Sequence, residues 1–243
     1  MSSQLEKGRK VGQFEIVGIL GKGGMASVYR AYQPNLEREV AIKVMADNYA
    51  SDTTFVERFR REARSIARLR HPNILTVYDA GEDNGLLYIA MELIDGPTLK
   101  EEMHGRPLPV DKAIKYISQV ASALDYANRM GIIHRDVKPT NVLIDQGERA
   151  VLSDFGIAKL AEQAAGNQLT STGTGVGTPD YMSPEQALGE ELDARSDQYS
   201  LGVMLYELLT GRTPYTGDTP IAVVMGHVSK PLPSARQLNP QIP

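Results

Sequence analysis

Apolar and polar residues alternate with period two from Phe14 to Val44 in three short runs, FEIVGIL, MASVYRAY and REVAIKV. A glycine cluster separates the first pair and Pro34-Asn35 the second, which predicts an antiparallel meander. A helical period follows from about Thr53 to Leu69, then two more strands around Ile74 to Asp79 and Leu86 to Glu92. Beyond Asp95-Gly96-Pro97 the pattern turns helical, with a long segment from about Val110 to Met130. Another helix is expected from Ala194 to Leu209, stopped by Gly211 with Pro214 beyond it, and Thr219-Pro220 reads as the N-cap and first residue of one more. The expected fold class is α+β: a small antiparallel β lobe carrying one helix, then a larger, mainly helical lobe. Residues 1–13 read as an N-terminal extension, 14–94 as the small lobe and 95–243 as the large one.

Composition narrows the functions open to such a fold. With 243 residues and 42% hydrophobic content, the chain can bury a large core. A net charge of −4 gives no basic field, so nucleic acid is not an expected partner. Zero cysteines exclude disulfides and thiolate metal sites and fit a reducing cytoplasm. The start, MSSQLEKGRKVG, lacks the apolar core of a secretory signal, and no stretch is apolar enough to span a bilayer. A soluble, cytoplasmic chain without membrane contact is expected.

Gly21-Lys22-Gly23-Gly24-Met25-Ala26-Ser27-Val28 joins two predicted strands. Glycines let a backbone approach phosphates closely, with its N–H groups turned toward their oxygens. An ordinary glycine-rich hairpin is the competing reading. A dinucleotide fingerprint or Walker A loop would need a helix after the glycines, and a strand is expected instead. In VAIK, Val40 and Ile42 take the core face of the third strand, which turns Ala41 and Lys43 to the other. On the helix that follows, Glu62 stands beside the apolar face of Phe55, Phe59, Ala63, Ile66 and Ala67. An inward carboxylate needs a partner, and Lys43 is the expected one. Arg58, Arg60, Arg61, Arg64, Arg68 and Arg70 on the same helix read as a solvated face.

HRDVKPTN, from His134 to Asn141, and DFG, from Asp154 to Gly156, place a proton acceptor, a cation and two metal ligands within one short region. Asp136 is suited to accept a proton from a hydroxyl, and Lys138 to offset charge on a transferred phosphoryl group. Asn141 and Asp154 supply oxygens for Mg²⁺, while His134 and Phe155 are expected to pack. A lone loop aspartate is more often a turn or helix cap. Four polar groups in this order favour phosphoryl transfer from a nucleotide.

The glycine segment, VAIK, Glu62, HRDVKPTN, DFG, SPE at Ser183–Glu185 and SDQYSLG from Ser196 resemble, in their order, the eukaryotic-like bacterial serine/threonine protein kinases. The resemblance covers nearly the whole chain and implies the protein-kinase fold and ATP-dependent transfer to Ser or Thr hydroxyls of protein substrates. It places Gly21, Lys22, Gly23, Gly24, Val28, Ala41, Lys43, Met91, Glu92 and Ile94 around ATP, with Met91 as gatekeeper and Glu92–Ile94 meeting the adenine edge. It makes Asp136, Lys138, Lys43 and Glu62 the catalytic set and Asn141 and Asp154 the Mg²⁺ ligands. Asp197 would hold the catalytic-loop backbone, and Lys138 with Thr178 implies Ser/Thr specificity. Ala26 stands where the family pattern has its third glycine.

Between DFG and SPE the chain is polar and glycine-rich, with Thr170, Ser171, Thr172 and Thr174 as candidate phosphosites. Arg135, with Lys159, resembles the phosphate-catching cation of the family, which implies self-activation through this cluster. The family continues for further helices past the segment that ends at Pro243 and supplies an arginine for the glutamate matched here by Glu185, so the chain reads as a truncated kinase, and the resemblance admits the cytoplasmic domain of a longer membrane-anchored one. Its small lobe could form a homodimer. The alternatives are a pseudokinase and an inactive fragment. Lys43, Asp136 and Asp154, the residues whose loss marks pseudokinases, are all present.

Overall fold

The computed structural model describes residues 5–24, 26–46, 52–156 and 179–243. Among them, 5–24, 26–46, 52–70 and 75–94 form one compact unit, and 71–74, 95–156 and 179–243 form another.

The first unit is built on one sheet. Strands β1 (Lys10–Val11), β2 (Phe14–Lys22), β3 (Ala26–Gln33), β4 (Arg38–Met45), β5 (Val77–Asp83) and β6 (Leu86–Met91) lie in the order β1-β2-β3-β4-β6-β5. Every neighbouring pair is antiparallel. The predicted alternation places Phe14, Ile16, Val40 and Ile42 in one buried cluster. Leu5 and Val11 join that cluster, so residues ahead of the meander are packed against the sheet as well. Helix α1 (Thr53–Ile66) begins at Asp52, whose carboxylate accepts hydrogen bonds from the Thr54 and Phe55 amides. It buries Phe55, Phe59, Ala63 and Ile66.

Two boundaries differ from the sequence reading. α1 stops at Ile66 rather than Leu69; the Leu69 amide reaches only to the Ile66 carbonyl, 3.0 Å away, so a tighter turn buries Leu69. The strand expected from Ile74 to Asp79 runs from Val77 to Asp83. Ile74 belongs to the other unit, where it forms a parallel bridge with Leu152. The β5–β6 hairpin turns on Asn84-Gly85, both at positive φ (48° and 77°), the pairing favoured by tight two-residue turns.

The second unit is mainly helical. It contains α2 (Leu99–Glu102), α3 (Val110–Arg129), the β7 (Val142–Ile144) and β8 (Ala150–Leu152) hairpin, α4 (Pro184–Leu188), α5 (Ala194–Thr210), α6 (Pro220–Ser229) and α7 (Ala235–Leu238). α3 buries Tyr116, Val120 and Leu124 and packs on α5. Gln119 on α3 accepts the Ala150 amide at 2.7 Å, and the Asn73 side chain donates to both Gln119 and the Ala150 carbonyl. Gly211 ends α5 in the left-handed region (φ 80°), and Thr219 caps α6 with Pro220 behind it, as the sequence predicts. Among the described residues, no helix is long and apolar enough to cross a membrane.

Candidate active site

The loop between α3 and β7 is anchored from below by α5. Asp197, 1% exposed, accepts the backbone amides of His134 and Arg135, each at 2.8 Å. A buried carboxylate that takes two N–H groups replaces its lost water with fixed partners. His134 donates from Nε2 to the Ser153 carbonyl at 2.8 Å and accepts the Asp136 amide at Nδ1, which assigns its tautomer. Its ring lies 4.5 Å from that of Phe155, and both are buried, in line with the packing role expected for them.

A 3₁₀ turn at Pro139–Asn141 folds the chain back so that Asn141 faces Asp136. Asn141 Nδ2 donates to the Asp136 carbonyl (2.8 Å) and to Asp136 Oδ2 (2.9 Å). Lys138 Nζ approaches the same Oδ2 at 2.8 Å. One carboxylate oxygen of Asp136 is thus held by a cation and an amide, two contacts that fix the orientation of the carboxylate. With both Asn141 amide protons directed at Asp136, its Oδ1 is the atom left for a cation. The Ser153 amide and hydroxyl both donate to the Asn141 carbonyl, tying this turn to the segment that carries Asp154. Asp154 sits at φ 63°, a rare region for a residue with a side chain.

Among the described residues, no cluster of three or more His, Asp or Glu could enclose a metal by itself. Asn141 and Asp154 nevertheless fit Mg²⁺, which dehydrates reluctantly and is commonly bound by one or two protein oxygens together with substrate phosphates and waters.

The remaining candidates lie on the first unit. Gly21 pairs with Val28 and Lys22 with Ser27, so the glycine segment is the strand–turn–strand that the sequence predicts. Neither Gly21, Gly23 nor Gly24 needs a positive φ, and a Cβ added at Gly21 or Gly24 would meet nothing within 4 Å. The chain's own packing therefore does not require glycine there, whereas close approach by a ligand would. Lys43 lies between Val28 and Ile89 in the sheet, on the strand face opposite buried Val40 and Ile42. Glu62 is half-buried on α1, and among the described residues its ion pair is with Arg61 at 3.8 Å rather than with the expected Lys43. The six arginines of this segment are exposed. Met91 ends β6 opposite Ala41 and Val77, and the Glu92 amide donates to the Thr76 carbonyl at 2.8 Å. Ile94 closes the first unit.

Thr170, Ser171, Thr172, Thr174, Thr178 and Lys159 lie outside the described residues. Glu185, for which the sequence reading expects an arginine, accepts the Ser196 hydroxyl at 2.5 Å. Burial pushes its carboxyl up, but bonds from Ser196, its own amide and Ser183 prevail and hold it below the usual range.

Sequence reasoning passed over one network. Glu207 on α5, 2% exposed, accepts the Tyr181 hydroxyl and the Lys100 ammonium. Burial, then the bond and charge of Glu207, raise the Tyr181 phenol far above its ordinary value. An apolar-flanked glutamate in YELL was the available signal. A reciprocal capping box at Ser183 and Gln186 was also legible, as S-x-x-Q.

Comparisons with known proteins bear on this geometry. Residues 14–239 match the model of the protein kinase domain. The chain is 42% identical to the serine/threonine-protein kinase PrkC of Bacillus subtilis over 96% of its own length, and covers 36% of that protein. It is 47% identical to PknB of Mycobacterium tuberculosis over 92% of its length, covering 37% of that protein. It thus spans about a third of the length of these curated relatives. The crystal structure of the Mycobacterium tuberculosis PknI kinase domain matches with a TM-score of 0.77 at 33% identity, over 98% of this chain and 87% of that one.

Proposed function

The chain belongs to the protein kinase family, and from that premise we propose that it transfers the γ-phosphoryl group of ATP to serine and threonine hydroxyls of proteins. The observation that carries this reading is the arrangement at Asp136. Lys138 and Asn141 hold its Oδ2 while Asp197 fixes the backbone that presents it. A carboxylate so oriented accepts the hydroxyl proton as the oxygen attacks phosphorus. Lys138, beside the developing charge, stabilises it.

Gly21, Lys22, Gly23, Gly24 and Val28, with Ala41 and Lys43, form the proposed phosphate- and base-binding surface of the first unit. Met91, Glu92 and Ile94 take the adenine, and Glu62 orients Lys43. Asn141 and Asp154 would hold Mg²⁺, which when bound neutralises phosphate charge. The catalytic domain is placed at residues 14–243, with lobes 14–94 and 95–243. Arg135 is the proposed receiver of a phosphate on Thr170, Ser171, Thr172 or Thr174, and Thr178 contributes to hydroxyl-substrate docking. A small-lobe homodimer and a cytoplasmic site of action complete the proposal.

The test is incubation with Mg-ATP beside Asp136→Asn, with phosphates mapped by mass spectrometry. Phosphate within Thr170–Thr178 in the unmutated chain alone is expected. Its absence from both would sink the catalytic reading. Full activity of the combined Thr170→Ala, Thr172→Ala and Thr174→Ala chain would remove the self-activation part.

A further inference from the structure

Gln186 lies on α4, next to Glu185, and its side chain makes two contacts of different kinds. Its Oε1 accepts the Ser183 amide at 3.0 Å, while the Gln186 amide donates to Ser183 Oγ at 3.3 Å, closing the capping box. Its Nε2 donates to the backbone carbonyl of Arg135 at 2.9 Å. The two contacts fix the amide's orientation, because an N–H must meet oxygen and a carbonyl must meet an N–H.

The Arg135 carbonyl belongs to the peptide unit whose nitrogen is that of Asp136. The other end of that unit, the Asp136 amide, donates to His134 Nδ1 at 3.2 Å. The peptide leading into Asp136 is thus gripped at its oxygen by Gln186 and at its nitrogen by His134. Arg135 itself stands at φ 68°, a region that residues with side chains seldom occupy unless their surroundings hold them there. Asp197 holds its amide and Gln186 its carbonyl, so both polar groups of the strained residue are engaged.

The identity of residue 186 carries the argument. A capping box is served equally by glutamate, and a negative charge near a helix N-terminus is generally favoured. A carboxylate cannot donate to a carbonyl. Glutamine serves both the cap and the Arg135 oxygen. We propose that Gln186 is a positioning residue that locks the Arg135–Asp136 peptide, making the orientation of Asp136 depend on how α4 is seated. α4 and the segment before it are both tied to α5, since Ser196 Oγ donates to Glu185 and Ser200 Oγ to the Tyr181 carbonyl. Seating of residues 179–183 on α5 is thereby transmitted through α4 and Gln186 to the peptide that carries the proton acceptor.

The kinetic part of this proposal rests on the kinase reading; the structural part does not. The discriminating substitution is Gln186→Glu, which keeps the cap and removes the donor, compared with Gln186→Ala, which removes both. Four quantities are measured on the full chain: melting temperature, hydrogen exchange at the Asp136 amide, and kcat and KM for a threonine peptide with Mg-ATP. Gln186→Glu is expected to lower the melting temperature by only a few degrees, less than Gln186→Ala, and to exchange the Asp136 amide roughly tenfold faster, the scale of one lost hydrogen bond. Its kcat should fall about tenfold to a hundredfold with KM for ATP unchanged, as expected when a reacting group is misplaced. Gln186→Ala should show the same kinetic loss and a lower melting temperature. Unaltered exchange and kcat in Gln186→Glu would overturn the proposal, as would a kinetic loss that simply scales with the fall in melting temperature across the two variants. If the unmutated chain transfers no phosphate, the kinase reading fails, and the exchange measurement still decides whether Gln186 locks the peptide.

Discussion

Asn141 has one side chain and three tasks: two donated bonds to Asp136 and one oxygen directed elsewhere. Asn141→Ala should therefore reduce kcat by about 10²–10³, mixing lost orientation with loss of the proposed metal ligand. Steady-state assays over a magnesium titration separate the two, because high Mg²⁺ should restore only the second. Glu207 makes a different kind of residue-scale claim. Tyr181→Phe removes one of two partners from a buried carboxylate and should destabilise by about 1–3 kcal/mol, read by urea denaturation. At this scale the motif residues were legible because their chemistry is encoded in short, ordered strings. Glu207 was not, because its partners stand 26 and 107 residues away in sequence.

Elements are fixed largely by their ends. Gly96, just before α2, has the Ile144 carbonyl so close that an added Cβ would lie 1.9 Å from its oxygen. Gly96→Ala must displace β7 or its own loop and should cost more than about 3 kcal/mol, measurable as a lowered denaturation midpoint. α6 carries a buried histidine, His227, faced by the Tyr199 hydroxyl of α5 at 2.9 Å, by the Tyr215 ring and by Asp180. Burial lowers its pKa against a smaller opposing pull from Asp180, and burial likewise pushes Tyr199 up to about 12. With the folded pKa below the unfolded value of about 6.5, the unfolded chain binds the proton more readily. Stability is therefore full above that pH and declines as pH falls toward the folded pKa. Melting temperature should drop between pH 7.5 and 5.5, and His227→Gln should flatten part of that slope; His71, also lowered chiefly by burial, keeps the remainder. Helix cores and caps were readable from periodicity. β5 was misplaced because Tyr78, Asp79, Glu82 and Asp83 give it little apolar signal, while the Asn84-Gly85 turn marked its true end.

For the whole molecule, the period of the sequence changes at Asp95, and residues 95–156 lie in the second unit. The assignment of residues 71–74 to it could not be read locally, since Asn73 is held by Gln119 and Ala150, 46 and 77 residues away. If the chain binds Mg-ATP as proposed, nucleotide at a hundred times its Kd should stabilise it by about 2.7 kcal/mol. Thermal denaturation with and without EDTA checks this, and a shift that survives chelation would argue against Mg²⁺-dependent binding.

The open space at Gly21 and Gly24 separates two pressures that usually act on the same residue. Most glycines that are held for folding report the demands of their own chain. These two leave room for a Cβ, so a library of small residues other than proline at both positions should keep the fold while differing in the proposed nucleotide affinity. Selection on such a library would read ligand preference almost free of stability, and variants with altered phosphate reach could be recovered without compensating changes elsewhere.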